Sequence, residues 1–139
     1  MKMEGVLSLE TVAGDGLRFR ARIAESTLVL DSSEGATDAN PVQALLASIA
    51  ACSAMDVVAI LRKKRQVLTG YEVTMSGERA EEHPRRFLSI TFVHRITGRA
   101  LKRSDAEAAL ELSLDKYCSV SHSLRPDLKI THRIEIREA

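Results

Sequence analysis

The stretch that decides the fold is NPVQALLASIAACSAMDVVAIL, residues 40–61. Asn40 is a favourable N-cap, Pro41 suits the first helical position, and Gln43 stands where a capping box needs it. The apolar run that follows predicts a long central helix over residues 40–64, with a basic tail at the negative end of the helix dipole. Because this helix is apolar on nearly every side, a single sheet cannot cover it.

A second copy of the chain is the simplest cover for the remaining side of the helix, so we expect a homodimer. The run from Ala44 to Leu61 also has the length of a short membrane span. It contains the polar residues Ser48, Ser53 and Asp56, however, and nothing similar occurs elsewhere in the chain. We therefore favour a buried core helix and expect no membrane association.

The sequence on both sides of the central helix alternates with the period of β-strands. The strongest alternation covers residues 17–24, with weaker strands predicted over 4–12 and 27–31. Together the predicted elements are N-terminal strands over 4–31, the central helix over 40–64, a hairpin over 70–97, a second helix over 104–117 and a C-terminal strand over 128–137. Strands that come in adjacent groups favour an α+β fold with antiparallel sheets, in a single domain over residues 1–139.

The second helix has its own start signal, because Ser104 and Glu107 have the spacing of a capping box. We therefore predict that Ser104 is its N-cap.

Composition excludes several classes of protein. The 139 residues carry a net charge of +1 and only 4% aromatic residues, which argues against a protein built to bind nucleic acid. Two cysteines are too few for a secreted disulfide scaffold or a four-thiolate zinc site. The N-terminal MKMEGVLSLE has no long apolar run and does not read as a signal peptide, so a cytoplasmic, reducing setting is expected.

The two cysteines are the candidate reactive groups. Cys52 lies in the middle of the central helix and Cys118 at the end of the second. In one interpretation, both cysteines are small apolar residues that pack in the core. The other makes them a redox pair, in which one thiolate attacks a peroxide and the second thiol resolves the product. Asp56, one helical turn after Cys52, would raise the thiol pKa if close, and we interpret it as a helix-end or subunit contact.

Other chemistry has little support in the sequence. The motifs CxxC, HExxH, GxxxxGK[ST], GxGxxG and GxSxG are absent. His94, His122 and His132 are interpreted as packing or surface residues. A metal site built from Cys52, Cys118 and His122 has only a weak spacing signal, so we expect no metal and no cofactor.

Three motifs occur in order along the chain. They are NPxxxLL at 40–46 leading to AAC at 50–52 and MDVV at 55–58, then SxERxEExPRxF at 76–87, then KYCSVS at 116–121. Together they resemble the OsmC/Ohr superfamily, and within it the OsmC-like, YhfA-like branch. The resemblance covers the chain from about residue 16 onward.

This resemblance implies an intertwined homodimer, in which antiparallel sheets wrap around two central helices. It also implies metal-free reduction of organic hydroperoxides, with Cys52 as the peroxidatic thiolate and Cys118 as the resolving thiol. An external dithiol would then reduce the disulfide, and Ohr-type members use lipoyl groups for this step.

The activating cation is less clearly marked. Among the three arginines of the strand at 17–24, we take Arg20 as the candidate, beside Arg18 and Arg22. Ohr-type members carry a Glu directly after the Asn-Pro pair to hold the arginine, and the YhfA-like branch often has an acid one residue later. Val42 and Gln43 occupy these positions here. A non-catalytic redox sensor or small-ligand-binding dimer is therefore the alternative function, and purely structural thiols are a third.

Overall fold

The computed structural model describes residues 1–10 and 14–139. The contacts within the chain define two compact units, Met1–Leu45 and Leu46–Ala139, each of which is described by itself. The predicted strand over 4–12 extends into residues that lie outside the described ones, and its described part is a strand over Gly5–Leu9. A single domain over 1–139 remains a prediction.

The first unit contains a three-stranded antiparallel sheet with the strand order β1-β2-β3. Its strands are β1 (Gly5–Leu9), β2 (Arg18–Ile23) and β3 (Ser26–Asp31). The strand register places apolar side chains on one face, because partners in adjacent strands share a face. That face consists of Leu7, Leu9, Phe19, Ala21, Ile23, Leu28 and Leu30. Arg18, Arg20 and Arg22 lie on the other face, as the alternation predicts.

The central helix α1 spans Pro41–Lys63 and begins with the predicted capping box. The Gln43 N–H donates to Asn40 Oδ1 and the Asn40 N–H donates to Gln43 Oε1, both at 2.9 Å. Two N–H groups at the helix start therefore have partners. Among the described residues, this one helix is long and apolar enough to cross a membrane, and 28% of its most apolar window is buried.

The second unit contains a three-stranded sheet with the order β4-β5-β6. Strands β4 (Val67–Arg79) and β5 (Phe87–Arg99) form the predicted hairpin, longer at both ends than the sequence indicates. Strand β6 (Lys129–Glu138) runs parallel to β5. The α+β class is confirmed, but the expectation of wholly antiparallel sheets is wrong for this pair. Parallel strands need a long crossover, because the chain must return to the end of the sheet at which the first strand began. The helical segment between β5 and β6 is long enough to do this.

The crossover has three helical parts. Helix α2 (Arg103–Leu112) continues into a π-helical turn (Ser113–Tyr117), and a short helix α3 (Ser119–His122) follows. The prediction that Ser104 caps α2 is wrong: Lys102 is the N-cap and has no side-chain cap hydrogen bond. The helix starts at Arg103, so Ser104 already lies inside it. Glu107 forms no capping box with Ser104 and makes an ion pair of 3.5 Å with Arg103, one helical turn earlier.

The core of the second unit lies between its sheet and its helices. One cluster joins Val57, Leu61 and Ile96 to the buried face of α2. A second cluster joins Ile49 and Phe92 to partly buried residues around α3 and β6. The α1 residues in these clusters, Ile49, Val57 and Leu61, are separated by multiples of four positions and so lie on one side of the helix. This side of α1 packs against the rest of the unit, including the α2–α3 segment.

Candidate active site

The tertiary structure brings the two predicted cysteines together. Cys52 comes from the middle of α1, and Cys118 lies between the π-helical turn and α3. The two thiols lie close enough that Cys118 raises the pKa of Cys52, and both are free cysteines. They are 66 residues apart in the chain, so only the packing of the crossover segment on α1 can pair them.

The two thiols differ in exposure. Cys118 is fully buried, whereas Cys52 is partly accessible. A dissolved substrate can therefore reach the sulfur of Cys52 more readily than that of Cys118. This asymmetry is what an attacking thiol and a resolving thiol require.

Cys118 is held by the residues that follow it. It is the N-cap of α3, and its sulfur accepts a hydrogen bond from the Ser121 N–H at 3.5 Å. Its S–H donates to Ser121 Oγ at 3.1 Å. The Cys118 N–H donates to the carbonyl of Ser113 at 2.8 Å, which closes the π-helical turn. Both backbone and side chain therefore fix the position of this sulfur.

The surroundings of Cys52 favour its neutral thiol. Burial is the largest cause that raises its pKa, and the Cys118 thiol and the charge of Asp56 raise it further. A hydrogen bond from the Val120 backbone N–H acts in the opposite direction. Asp56 therefore lies close enough to raise the pKa of Cys52, the effect that the sequence analysis made conditional on its proximity. A reactive Cys52 thiolate needs a cation that this set of contacts does not supply.

Asp56 makes a contact within the chain, where the sequence indicated a helix-end or subunit contact. Its Oδ2 accepts a hydrogen bond of 2.7 Å from Oγ of Ser113, which is fully buried. The spacing of four residues in α1 places Asp56 on the same helix face as Cys52. Asp56 therefore joins that face to the turn that leads to Cys118.

An open cavity of about 510 Å³ lies beside this contact. Its walls combine apolar side chains with three charged ones, and they consist of Asp56, Ala59, Ile60, Lys63, Lys64, Leu112 and Tyr117. Two of its lining residues are close in sequence to the cysteines. Asp56 lies one helical turn after Cys52, and Tyr117 directly precedes Cys118. A mainly apolar wall of this size suits a small organic molecule.

Arg20 lies in the first unit on β2. Its Nε donates to Oε1 of Glu10 at 2.5 Å, and its neighbour Arg18 forms ion pairs with Asp31 and Asp38. Both arginines are therefore held by carboxylates of their own unit. The assignment of Arg20 as the activating cation remains a prediction.

The second unit also contains a partly buried chain of three polar side chains that the sequence did not indicate. The Tyr71 hydroxyl is hydrogen bonded to His94 Nδ1 at 2.7 Å, and His94 Nε2 to His132 Nδ1 at 2.9 Å. Burial lowers the pKa of both imidazoles to about 4 and raises the pKa of the Tyr71 phenol, so all three groups are neutral at neutral pH. The interpretation of His94 and His132 as packing residues is confirmed, and His122 is exposed.

Sequence reasoning also missed Ser113 and Ser121. Nothing in the local sequence marks Ser113, because its partner Asp56 is 57 residues away. Ser121 had a usable signal, since it follows Cys118 by three residues, which is the spacing of a capping interaction. Within residues 1–10 and 14–139, no group of three or more His, Cys, Asp or Glu side chains could hold a metal ion.

Comparisons with known proteins agree with this architecture. A model of the family described as OsmC-like protein matches residues 33–133. The chain is 38% identical to the protein YhfA of Escherichia coli (strain K12) over 123 residues, which cover 88% of this chain and 92% of that protein. A crystal structure of a hypothetical protein from Aquifex aeolicus VF5 shares 29% identity, with a TM-score of 0.79 and 98% of each chain covered.

A third similarity is to a crystal structure described as an organic hydroperoxide resistance protein OsmC, from Legionella pneumophila. It has a TM-score of 0.67 and covers 97% of each chain, and its 16% identity supports a shared fold alone. The fold and the family match agree on one class of protein. This chain belongs to the OsmC-like protein family, which confirms the resemblance found in the sequence motifs.

Proposed function

We propose that this protein is a thiol-dependent peroxidase that reduces organic hydroperoxides through a Cys52 sulfenic acid and a Cys52–Cys118 disulfide. The observation that carries the proposal is the proximity of a partly accessible thiol to a fully buried one, close enough for the second to raise the pKa of the first. The resemblance of the sequence motifs to the OsmC/Ohr superfamily supports the choice of substrate class.

The chemistry follows from the two thiols. The Cys52 thiolate attacks the terminal oxygen of ROOH, the O–O bond breaks, and the alkoxide takes a proton to leave as an alcohol. Cys118 then attacks the sulfur of the Cys52 sulfenic acid, and water leaves as the disulfide forms. An external dithiol, of which a lipoyl group is one example, reduces the disulfide by thiol–disulfide exchange.

The assembly belongs to the same proposal. The apolar face of the first sheet exposes Leu7 at 58% and Leu28 at 47%, and on α1 Met55 is 70% exposed. Exposed apolar surface of this extent needs a partner. A second copy of the chain is the occupant we propose, in a homodimer located in the cytoplasm, where the free thiols stay reduced.

Intact-mass analysis after addition of a slight excess of cumene hydroperoxide tests the peroxidase. The expected result is a loss of about two hydrogens per chain, thiols that no longer alkylate, and a peptide linking Cys52 to Cys118. Cys52→Ser should abolish peroxide consumption. Cys118→Ser should leave a sulfenic acid that over-oxidises or cross-links. Full turnover in the Cys52 variant would disprove the proposal.

A non-catalytic redox sensor or small-ligand-binding dimer is the second candidate. Two observations favour it. The pKa of Cys52 is raised, which opposes a reactive thiolate. The side chain of Gln43, at the position where related proteins have an acid, is an amide that is hydrogen bonded within the capping box. Val42 is apolar, so neither position after Asn40-Pro41 supplies a carboxylate to hold an arginine. Disulfide formation without catalytic turnover would favour the sensor, and unchanged mass with both thiols free would favour ligand binding or structural thiols.

A further inference from the structure

The Cys118 thiol has a hydroxyl group as its hydrogen-bond acceptor. Its S–H donates to Ser121 Oγ at 3.1 Å, while the Ser121 N–H donates to the same sulfur at 3.5 Å. Cys118 is fully buried, and Ser121 is partly buried. Bulk water therefore has poor access to the Cys118 proton, whose hydrogen-bond acceptor Ser121 is less buried than Cys118 itself.

Disulfide formation must remove that proton and supply one elsewhere. When Cys118 attacks the sulfenic sulfur of Cys52, the S–S bond forms, the S–O bond breaks and hydroxide leaves. Protonation of the hydroxide gives water. The sulfenic acid and the disulfide are at the same overall oxidation level, so this step needs no further oxidant or reductant.

We infer that Ser121 is a catalytic residue of this second step, in which it transfers the Cys118 proton to the departing hydroxide. Ser121 Oγ accepts the proton from Cys118 Sγ and passes its own hydroxyl proton to the oxygen that leaves Cys52, so that the serine is regenerated. The inference rests on the proposed peroxidase function, whose sulfenic acid is the reactant.

Two other polar side chains of this segment and of α1 already have hydrogen-bond partners. Asp56 Oδ2 accepts the Ser113 hydroxyl at 2.7 Å, and Ser123 Oγ donates to the Ser119 carbonyl at 2.7 Å. Ser121 is the residue whose hydroxyl contacts a reacting sulfur within the described part of the chain. A serine hydroxyl can accept and donate at once, which the shuttle requires.

The test follows the two steps separately after rapid mixing with cumene hydroperoxide. Dimedone trapping measures the Cys52 sulfenic acid, and non-reducing mass analysis measures the disulfide. In Ser121→Ala we expect disulfide formation to slow at least about tenfold, so that sulfenic acid accumulates and excess peroxide over-oxidises Cys52. Ser121→Thr keeps a hydroxyl and should recover most of the rate. Ser119→Ala, an exposed serine on the same short helix, is the matched control.

A pH series distinguishes proton transfer from simple positioning. The defect of Ser121→Ala should be largest at low pH and shrink as the pH rises, because hydroxide then removes the Cys118 proton directly. In the wild-type protein, D₂O should slow disulfide formation more than sulfenic acid formation, a measurement that needs no variant. A wild-type rate in Ser121→Ala, a defect independent of pH, or no D₂O effect would overturn the inference while leaving the peroxidase intact. Failure of the wild type to form any sulfenic acid would overturn both.

Discussion

Ser113 donates a 2.7 Å hydrogen bond from its buried hydroxyl to Oδ2 of Asp56, and this bond joins α1 to the π-helical turn. The carbonyl of Ser113 accepts the N–H of Cys118 at 2.8 Å. One serine thus connects the helix that carries Cys52 with the residue that carries the second thiol. The same contact brings a carboxylate near Cys52, where its charge raises the thiol pKa.

Replacing that carboxylate with an amide should make Cys52 more reactive. Asp56→Asn retains an oxygen that accepts the Ser113 hydroxyl but removes the negative charge, so the pKa of Cys52 should fall. We expect iodoacetamide to alkylate Cys52 about two to five times faster at neutral pH, the range given by roughly 1 kcal/mol of charge interaction. Glu72→Gln, an exposed charge removal on β4, is the control. A slower reaction in Asp56→Asn would contradict this account.

Arg20 can be tested against its neighbour on the same strand face. If Arg20 activates Cys52, Arg20→Ala should reduce the second-order rate with cumene hydroperoxide by about 10²-fold or more, because a thiolate without a cation is poorly populated. Arg22→Ala removes an equal charge and should have little effect. Equal losses in both variants would mean that net charge matters and that no single arginine is responsible.

The histidine pair should make stability depend on pH below neutrality. His94 and His132 have pKa values of about 4 in the folded protein, mainly because burial opposes their charged forms. In the unfolded chain they return to about 6.5. Between these values the unfolded state binds more protons, so the free energy of unfolding falls as the pH drops from about 6.5 to about 4.

Urea unfolding at a series of pH values measures the effect, which should be on the order of 5 kcal/mol across this window for the two rings together. His132→Gln removes one titrating ring and should flatten the profile. His122→Asn removes an exposed histidine and should leave the profile unchanged. A flat wild-type profile between pH 7 and 4 would contradict the buried neutral pair.

Two glycines of the β4–β5 hairpin should differ sharply in tolerance to alanine. A Cβ on Gly98 would lie 2.1 Å from the carbonyl oxygen of Val67 and 2.9 Å from the Leu101 side chain. On Gly70 the nearest atom would be Cβ of Thr97 at 3.6 Å, an ordinary contact. Gly98→Ala should therefore lower the free energy of unfolding by about 2 kcal/mol or more, whereas Gly70→Ala stays within about 1 kcal/mol of wild type. Similar losses in both variants would contradict the close approach at Gly98.

The local features of the fold could be predicted from the sequence because local rules generate them. The Asn40–Gln43 capping box, the length of α1 and the β4–β5 hairpin all depend on residues close together in the chain. The motifs around Cys52 and Cys118 were sufficient to indicate the OsmC-like family, which the comparisons confirm. The start of α2 was mispredicted because Ser104 and Glu107 satisfy the capping pattern without being used for it.

The sequence by itself therefore determined the central helix, the hairpin, the family and the identity of the candidate thiols. Only the tertiary structure decided the direction of β6, the meeting of Cys52 with Cys118, and the partners of Asp56 and Ser121. The physical reason is distance along the chain. Hydrophobic periodicity and capping act over a few residues, whereas a parallel strand pair and a thiol pair depend on how a long crossover packs against a helix.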